Sequence, residues 1–204
     1  TLSDTFRVAA WDARGYGDSD DYAGPLQFSV FVDDVLRVLD HFGVARASIV
    51  GLSMGGRIAR EVALRAPDRV DRLVLANTTP GFSSLSADEQ RRFVESRAAP
   101  IRAGTPVATI AREMAPRLLH RDADAATIEA VIAMMSALHP ESYIKTVEAS
   151  VAQDRAAPIE SIRAPTLVIT SDADPLYPRA ISEDMARRIP GARLVVIERA
   201  GHLS

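Results

Sequence analysis

A chain of 204 residues, 47% hydrophobic and 25% charged, is long enough to enclose one sizeable core. Its net charge of -3 argues against nucleic acid as a partner, and no apolar run approaches a membrane span. The lack of cysteine excludes disulfides, thiolate metal sites and a cysteine nucleophile.

Phe6 to Trp11 reads as a buried strand running into Asp12-Ala13-Arg14-Gly15-Tyr16-Gly17-Asp18-Ser19-Asp20, a loop that an Asp12–Arg14 ion pair could brace. Ser29 is placed to cap a helix whose apolar face is Phe31, Val35, Leu36, Leu39 and Phe42. Asp33 and Asp34 are expected near its positive end, His41 in its last turn, and Gly43 just past it.

The next stretch is Ser48-Ile49-Val50-Gly51-Leu52-Ser53-Met54-Gly55-Gly56-Arg57, an apolar run, a serine between glycines and then a helical pattern halted by Pro67. Gly-x-Ser-x-Gly between strand and helix demands a strained serine backbone that projects the hydroxyl from the strand end. Gly51 and Gly55 are expected where a Cβ would collide. The helix N-terminus aims its positive end at Ser53, and the Met54 N–H points where an oxyanion would form. The plainer alternative is a serine that merely caps the helix.

Leu73 to Ala76 is the next strand, and strands alternating with helices imply a mostly parallel sheet with helices on both faces. From Thr79 to about Ala157 the strand rhythm stops. Ser86-Ala87-Asp88-Glu89 opens a helix to about Ala98, Thr105-Pro106 one to about Leu119, Ala125 one to Leu138, and Pro140 one to about Gln153. A helical insertion over strand ends reads as a lid. Met114, Met134 and Met135 fit its core, and His120 and His139 fall at helix ends in structural roles. The chain thus divides into residues 1–79, 80–157 and 158–204.

Strand rhythm resumes at Thr166 to Thr170, then a polar loop holding Asp172, Asp174 and Pro178, a helix to about Ile189, a strand from Arg193 to Ile197, and Ala200-Gly201-His202-Leu203-Ser204. A serine hydroxyl needs an imidazole to accept its proton, and the imidazole a carboxylate to fix its tautomer. Ser53, Asp174 and His202 each follow a strand, in the chain order expected when a strand-to-helix elbow bears the nucleophile.

On Asp12-x-Arg14-Gly15-x-Gly17-x-Ser19, Gly51-Leu52-Ser53-Met54-Gly55-Gly56, Asp174-x-x-x-Pro178 and Gly201-His202, the chain resembles the α/β-hydrolase superfamily over essentially its whole length. In motif wording it is most similar to 3-oxoadipate enol-lactonases and related esterases. The resemblance selects Asp174 over Asp172, because the family's acid stands four residues before a proline. It implies a serine hydrolase cleaving a small ester or lactone, with Ser53 as nucleophile, His202 as base, Asp174 as its orienter and Met54 N–H as one oxyanion donor. It implies no metal or cofactor, a small-molecule substrate and no nucleic-acid or membrane partner. A carbon–carbon hydrolase on the same triad, or a small-molecule binding protein of the same fold, stays open. The family's earlier strands, its His-Gly loop with the second oxyanion donor, and the helix after the histidine have no counterpart here. The chain therefore reads as truncated at both ends, with a gap in its sheet beside the Phe6–Trp11 strand. A cytoplasmic location is the expectation; Thr1-Leu2-Ser3-Asp4 lacks an initiator methionine, so the missing signal peptide says little about compartment.

Overall fold

Backbone hydrogen bonds and a single buried face organise the chain. The computed structural model describes residues 2–82, 85–152 and 158–203. In chain order the main elements are α1 (Ser29–His41), β1 (Ala47–Leu52), α2 (Met54–Arg65) and β2 (Val70–Ala76). Four helices follow: α3 (Ala87–Arg102), α4 (Val107–Leu118), α5 (Ala125–Ser136) and α6 (Pro140–Ala152). The chain then returns to β3 (Thr166–Ser171), α7 (Arg179–Arg188) and β4 (Arg193–Ile197). The expected helix end at Gln153 and segment end at Ala157 lie outside the described residues.

The four strands pair in parallel in the order β1-β2-β3-β4, with Val50 opposite Val74, Val74 opposite Leu167 and Leu167 opposite Arg193. Each strand joins its neighbour through helical chain. Right-handed crossovers that all step in one direction place their helices on one side of a sheet. The crossover helices α2 and α7 accordingly share one core with the sheet, and α1, which precedes β1, packs into the same core: Phe31 and Val32, Ile58 and Val62, Met185, and Leu73, Leu75 and Val168 from the strands. Of the two faces expected to carry helices, the described residues cover this one. The opposite face leaves Val50, Val195 and Ile197 exposed.

Several local expectations are corrected. Phe6 to Trp11 forms no strand; its backbone has no ladder partner among the described residues, and Phe6 and Val8 are exposed. Apolar composition marked this segment, but a strand needs a neighbour to take its N–H and C=O groups. Arg14 pairs with Asp34, not Asp12, through two 2.7 Å bonds. Asp12 instead accepts from the Asp18 N–H at 3.2 Å, while its carbonyl accepts from the Ser19 hydroxyl at 2.7 Å. Phe28, not Ser29, stands at the cap of α1, with no side-chain cap bond. Asp33 and Asp34 fall beyond the first turn and pair sideways with Arg65 and Arg14.

Two helices of the middle segment, α3 and α5, start where side chains satisfy their open N–H groups, whereas α4 starts after Pro106 with no side-chain cap bond. Ser86 and Glu89 bond each other's backbone in a capping box for α3, and Asp124 accepts from the Thr127 N–H at 2.7 Å for α5. Two ties bring this segment to the C-terminal ends of the strands. The Leu203 N–H donates to the carbonyl of Leu118, the last residue of α4, at 3.0 Å. The buried Arg57 guanidinium reaches from α2 to the Ser150 carbonyl near the end of α6, over the Phe28 and Phe82 rings at 4.7 and 4.4 Å. Among the described residues no helix is long and apolar enough to cross a membrane.

Candidate active site

At the end of β1 the backbone turns sharply into α2. Ser53 holds φ 52° and ψ -117°, a region that side chains other than glycine rarely adopt. The turn is held by neighbours. The Ser53 N–H donates to the Ala76 carbonyl at 2.9 Å, and the Thr78 hydroxyl donates to the Ser53 carbonyl at 2.6 Å. The Ser53 side chain makes no capping bond to α2, so its hydroxyl is not absorbed by the helix end. Met54 is the first helical residue, and its N–H has no partner within the helix.

The glycine requirement differs from the motif reading. A Cβ at Gly51 would lie 2.2 Å from the Gly55 carbonyl oxygen, so this position must be bare. At Gly55 a Cβ would meet nothing within 4 Å, whereas at Gly56 it would lie 2.7 Å from the Thr78 side chain. The close approach is between α2 and the residues after β2, and Gly56 permits it.

Asp174 lies in the loop after β3, its side chain fully buried. One carboxylate oxygen takes His202 Nδ1 at 2.9 Å; the other accepts the N–H groups of Leu176 at 2.7 Å and Tyr177 at 3.1 Å. Burial pushes this carboxyl upward, but the hydrogen bonds from His202, Leu176 and Tyr177 outweigh it and hold it below the usual carboxylate range. An ionised carboxylate can only accept, so the Nδ1 facing it carries the proton, and the tautomer this selects in a neutral imidazole is the one with the lone pair on Nε2. Asp172, two residues earlier, is exposed and accepts from the Ala200 N–H at 3.3 Å instead.

His202 is 4% exposed. Its loop is tight: a Cβ on Gly201 would lie 2.5 Å from the Leu119 carbonyl carbon. The Tyr177 ring stands over the imidazole at 5.6 Å, and burial raises the Tyr177 phenol above its ordinary value. The structure thus brings Asp174 and His202 into contact and places Ser53, with Met54 beside it, on the same C-terminal edge of the sheet.

Residues that sequence reasoning passed over complete the frame. Asn77 and Thr78, directly after β2, bond the backbones of His202 and Ser53. Polar residues at the end of an apolar strand were the available signal. His120 and His139, which the sequence places at helix ends, make polar contacts. His120 Nδ1 accepts from the Asp122 N–H at 3.2 Å, and His139 pairs with Asp21 at 3.0 Å. Among the described residues no group of three or more histidine or carboxylate side chains is placed to hold a metal ion.

This arrangement defines a class: a parallel sheet whose strand ends present a serine elbow, an acid loop and a buried histidine. Residues 1–204 match the profile of the alpha/beta hydrolase family, and the chain belongs to that family. It is 30% identical to a pimeloyl-[acyl-carrier protein] methyl ester esterase of Neisseria meningitidis serogroup B, over 98% of this chain and 77% of that protein. It is 28% identical to 3-oxoadipate enol-lactonase 2 of Acinetobacter baylyi, over 100% of this chain and 74% of that protein. Among solved structures, a hydrolase from Pseudomonas aeruginosa PA01 superposes with a TM-score of 0.84 at 32% identity, over 96% of this chain and 73% of that one. The chain is a hydrolase of this fold.

Proposed function

We propose that this protein cleaves a small ester or lactone through an acyl-enzyme, in the manner of the 3-oxoadipate enol-lactonase and esterases that it resembles. The observation that carries this reading is the buried contact of His202 Nδ1 with Asp174, on the same sheet edge as a strained serine whose hydroxyl is spared from capping. Ser53 Oγ attacks the carbonyl carbon while His202 Nε2 takes its proton. The tetrahedral oxyanion takes the Met54 N–H as a donor. As the carbon–oxygen bond of the ester breaks, the imidazolium returns the proton to the leaving oxygen. Water then attacks the acyl-serine, His202 taking its proton and restoring it to Ser53 Oγ. Asp174 holds the tautomer and stabilises the imidazolium throughout. The helices of residues 80–157 act as a lid that selects the substrate, supported by their ties to the histidine loop and to α2.

The test is labelling and turnover together. A fluorophosphonate should label Ser53, and Ser53→Ala should abolish both labelling and hydrolysis of a short aryl ester. Labelling that survives Ser53→Ala removes the assignment.

A further inference from the structure

Where β2 ends, the backbone of Asn77 enters the left-handed region at φ 42°, and its side chain is completely buried. A left-handed residue costs little when it is asparagine, so the conformation alone explains the residue type. It does not explain the direction of the amide. The Ser171 N–H, at the end of β3, points at Oδ1 at 2.9 Å. A backbone N–H can only donate, so the atom facing it must be the amide oxygen, and the amide is thereby oriented. Nδ2 must then point the other way, toward the Ser171 hydroxyl at 2.9 Å and the His202 carbonyl at 2.8 Å, with the Gly201 carbonyl at 3.5 Å. Its own N–H donates to the Ile169 carbonyl at 2.9 Å. One side chain thus fastens the end of the acid strand and the backbone of the histidine to the end of β2.

The nucleophile is referenced to the same point. The Ser53 N–H donates to the carbonyl of Ala76, the residue before Asn77. The Ser53 and His202 backbones are therefore each one hydrogen bond from adjacent residues of one strand end. On its other side the histidine loop is held by α4, through the Leu203 N–H on the Leu118 carbonyl.

We propose that Asn77 is a positioning residue for the base: its amide fixes the His202 backbone, and so the imidazole, relative to the strand end that holds Ser53. The proposal rests on the reading of Ser53, Asp174 and His202 as a triad. Proton transfer from Ser53 needs the imidazole within hydrogen-bond reach, and a misplacement of about 1 Å costs on the order of 10²-fold in rate. Without the amide, the Gly201 and His202 carbonyls lose their tie to the end of β2, while the flanking Leu203 N–H keeps its bond to the Leu118 carbonyl and the Ala200 carbonyl keeps its bond from the Ala173 N–H.

Asn77→Gly keeps the left-handed backbone without strain and deletes the amide; Asn77→Asp keeps shape and backbone tolerance but, ionised, has no donor for His202. Both variants, Ser53→Ala and the wild type would be compared with a short aryl ester for kcat and KM, by thermal melting, and by the downfield proton resonance of His202 Nδ1–H. The expected result is a kcat lowered by about 10²-fold per folded molecule in both Asn77 variants, with KM changed by no more than about twofold, and a displaced or broadened Nδ1–H resonance. If one variant fails to fold, the other decides by the same readouts. Unchanged kcat, or a loss that only tracks lost folded protein while the resonance stays in place, overturns the proposal; so does failure of both variants to fold, which assigns the amide to the fold alone. Ser53→Ala separates the two ideas: turnover that survives it removes the triad, while its loss alongside unaffected Asn77 variants removes only the positioning role.

Discussion

At Asp174, burial and hydrogen bonding act in opposite directions, and hydrogen bonding prevails. The net depression of this carboxyl has a sign. A carboxyl whose native value lies below its unfolded value, ordinarily about 3.9, stabilises the fold above that pH and loses the contribution as pH falls through the native value. Asp174→Asn should therefore lower the melting temperature near neutrality, and the gap to the wild type should close as the solution is acidified; a gap that widens in acid contradicts the bonding described. In the proposed mechanism the same substitution should cost turnover about 10⁴-fold, by allowing the wrong tautomer at His202. A loss in Asp172→Asn but not in Asp174→Asn would move the acid. The pairing of Asp174 with His202 was legible through the family resemblance, in which the acid stands four residues before a proline. Asn77 was not, because its partners lie 94 and 125 residues away and nothing local announces them.

At the scale of elements, the sequence marked the α2 elbow, the parallel strands and all four middle helices within a few residues. These depend on signals carried inside each segment: caps, proline stops and apolar periodicity. The Phe6–Trp11 segment failed for the converse reason, since ladder pairing is supplied by another part of the chain. The elbow glycines show the same division. The motif marks Gly51 and Gly55, but spatial crowding marks Gly51 and Gly56. Gly51→Ala and Gly56→Ala should each destabilise by about 1–3 kcal/mol, as overpacking does, because backbone atoms or the Thr78 side chain must move. Gly55→Ala should fold as well as the wild type or slightly better, since alanine favours a helix by up to about 1 kcal/mol over glycine. Thermal melting of the three variants checks the order, and a Gly55→Ala variant as unstable as the other two would refute the steric account.

For the whole molecule, the one-directional strand order has a consequence beyond the site. With α1, α2 and α7 gathered on one face, β1 forms an outer strand that pairs only with β2 among the described residues. Val50 in its middle is 65% exposed and Leu52 at its end 37%. Phe6 and Val8 add further exposed apolar surface. An outer strand with free N–H and C=O groups and apolar side chains is a template for pairing with another chain, and natural sheets blunt such edges with lysine, proline or a covering element. Lys145 is the only lysine of the chain and lies on α6. Residues 1–204 expressed by themselves should therefore self-associate as their concentration rises. Val50→Lys should reduce that association without lowering the melting temperature, because Val50 contributes no packing to the shared core. Light scattering over a concentration series, with melting curves alongside, measures both. Association that is absent in the wild type, or undiminished by Val50→Lys, would show that the outer strand is not the sticky element.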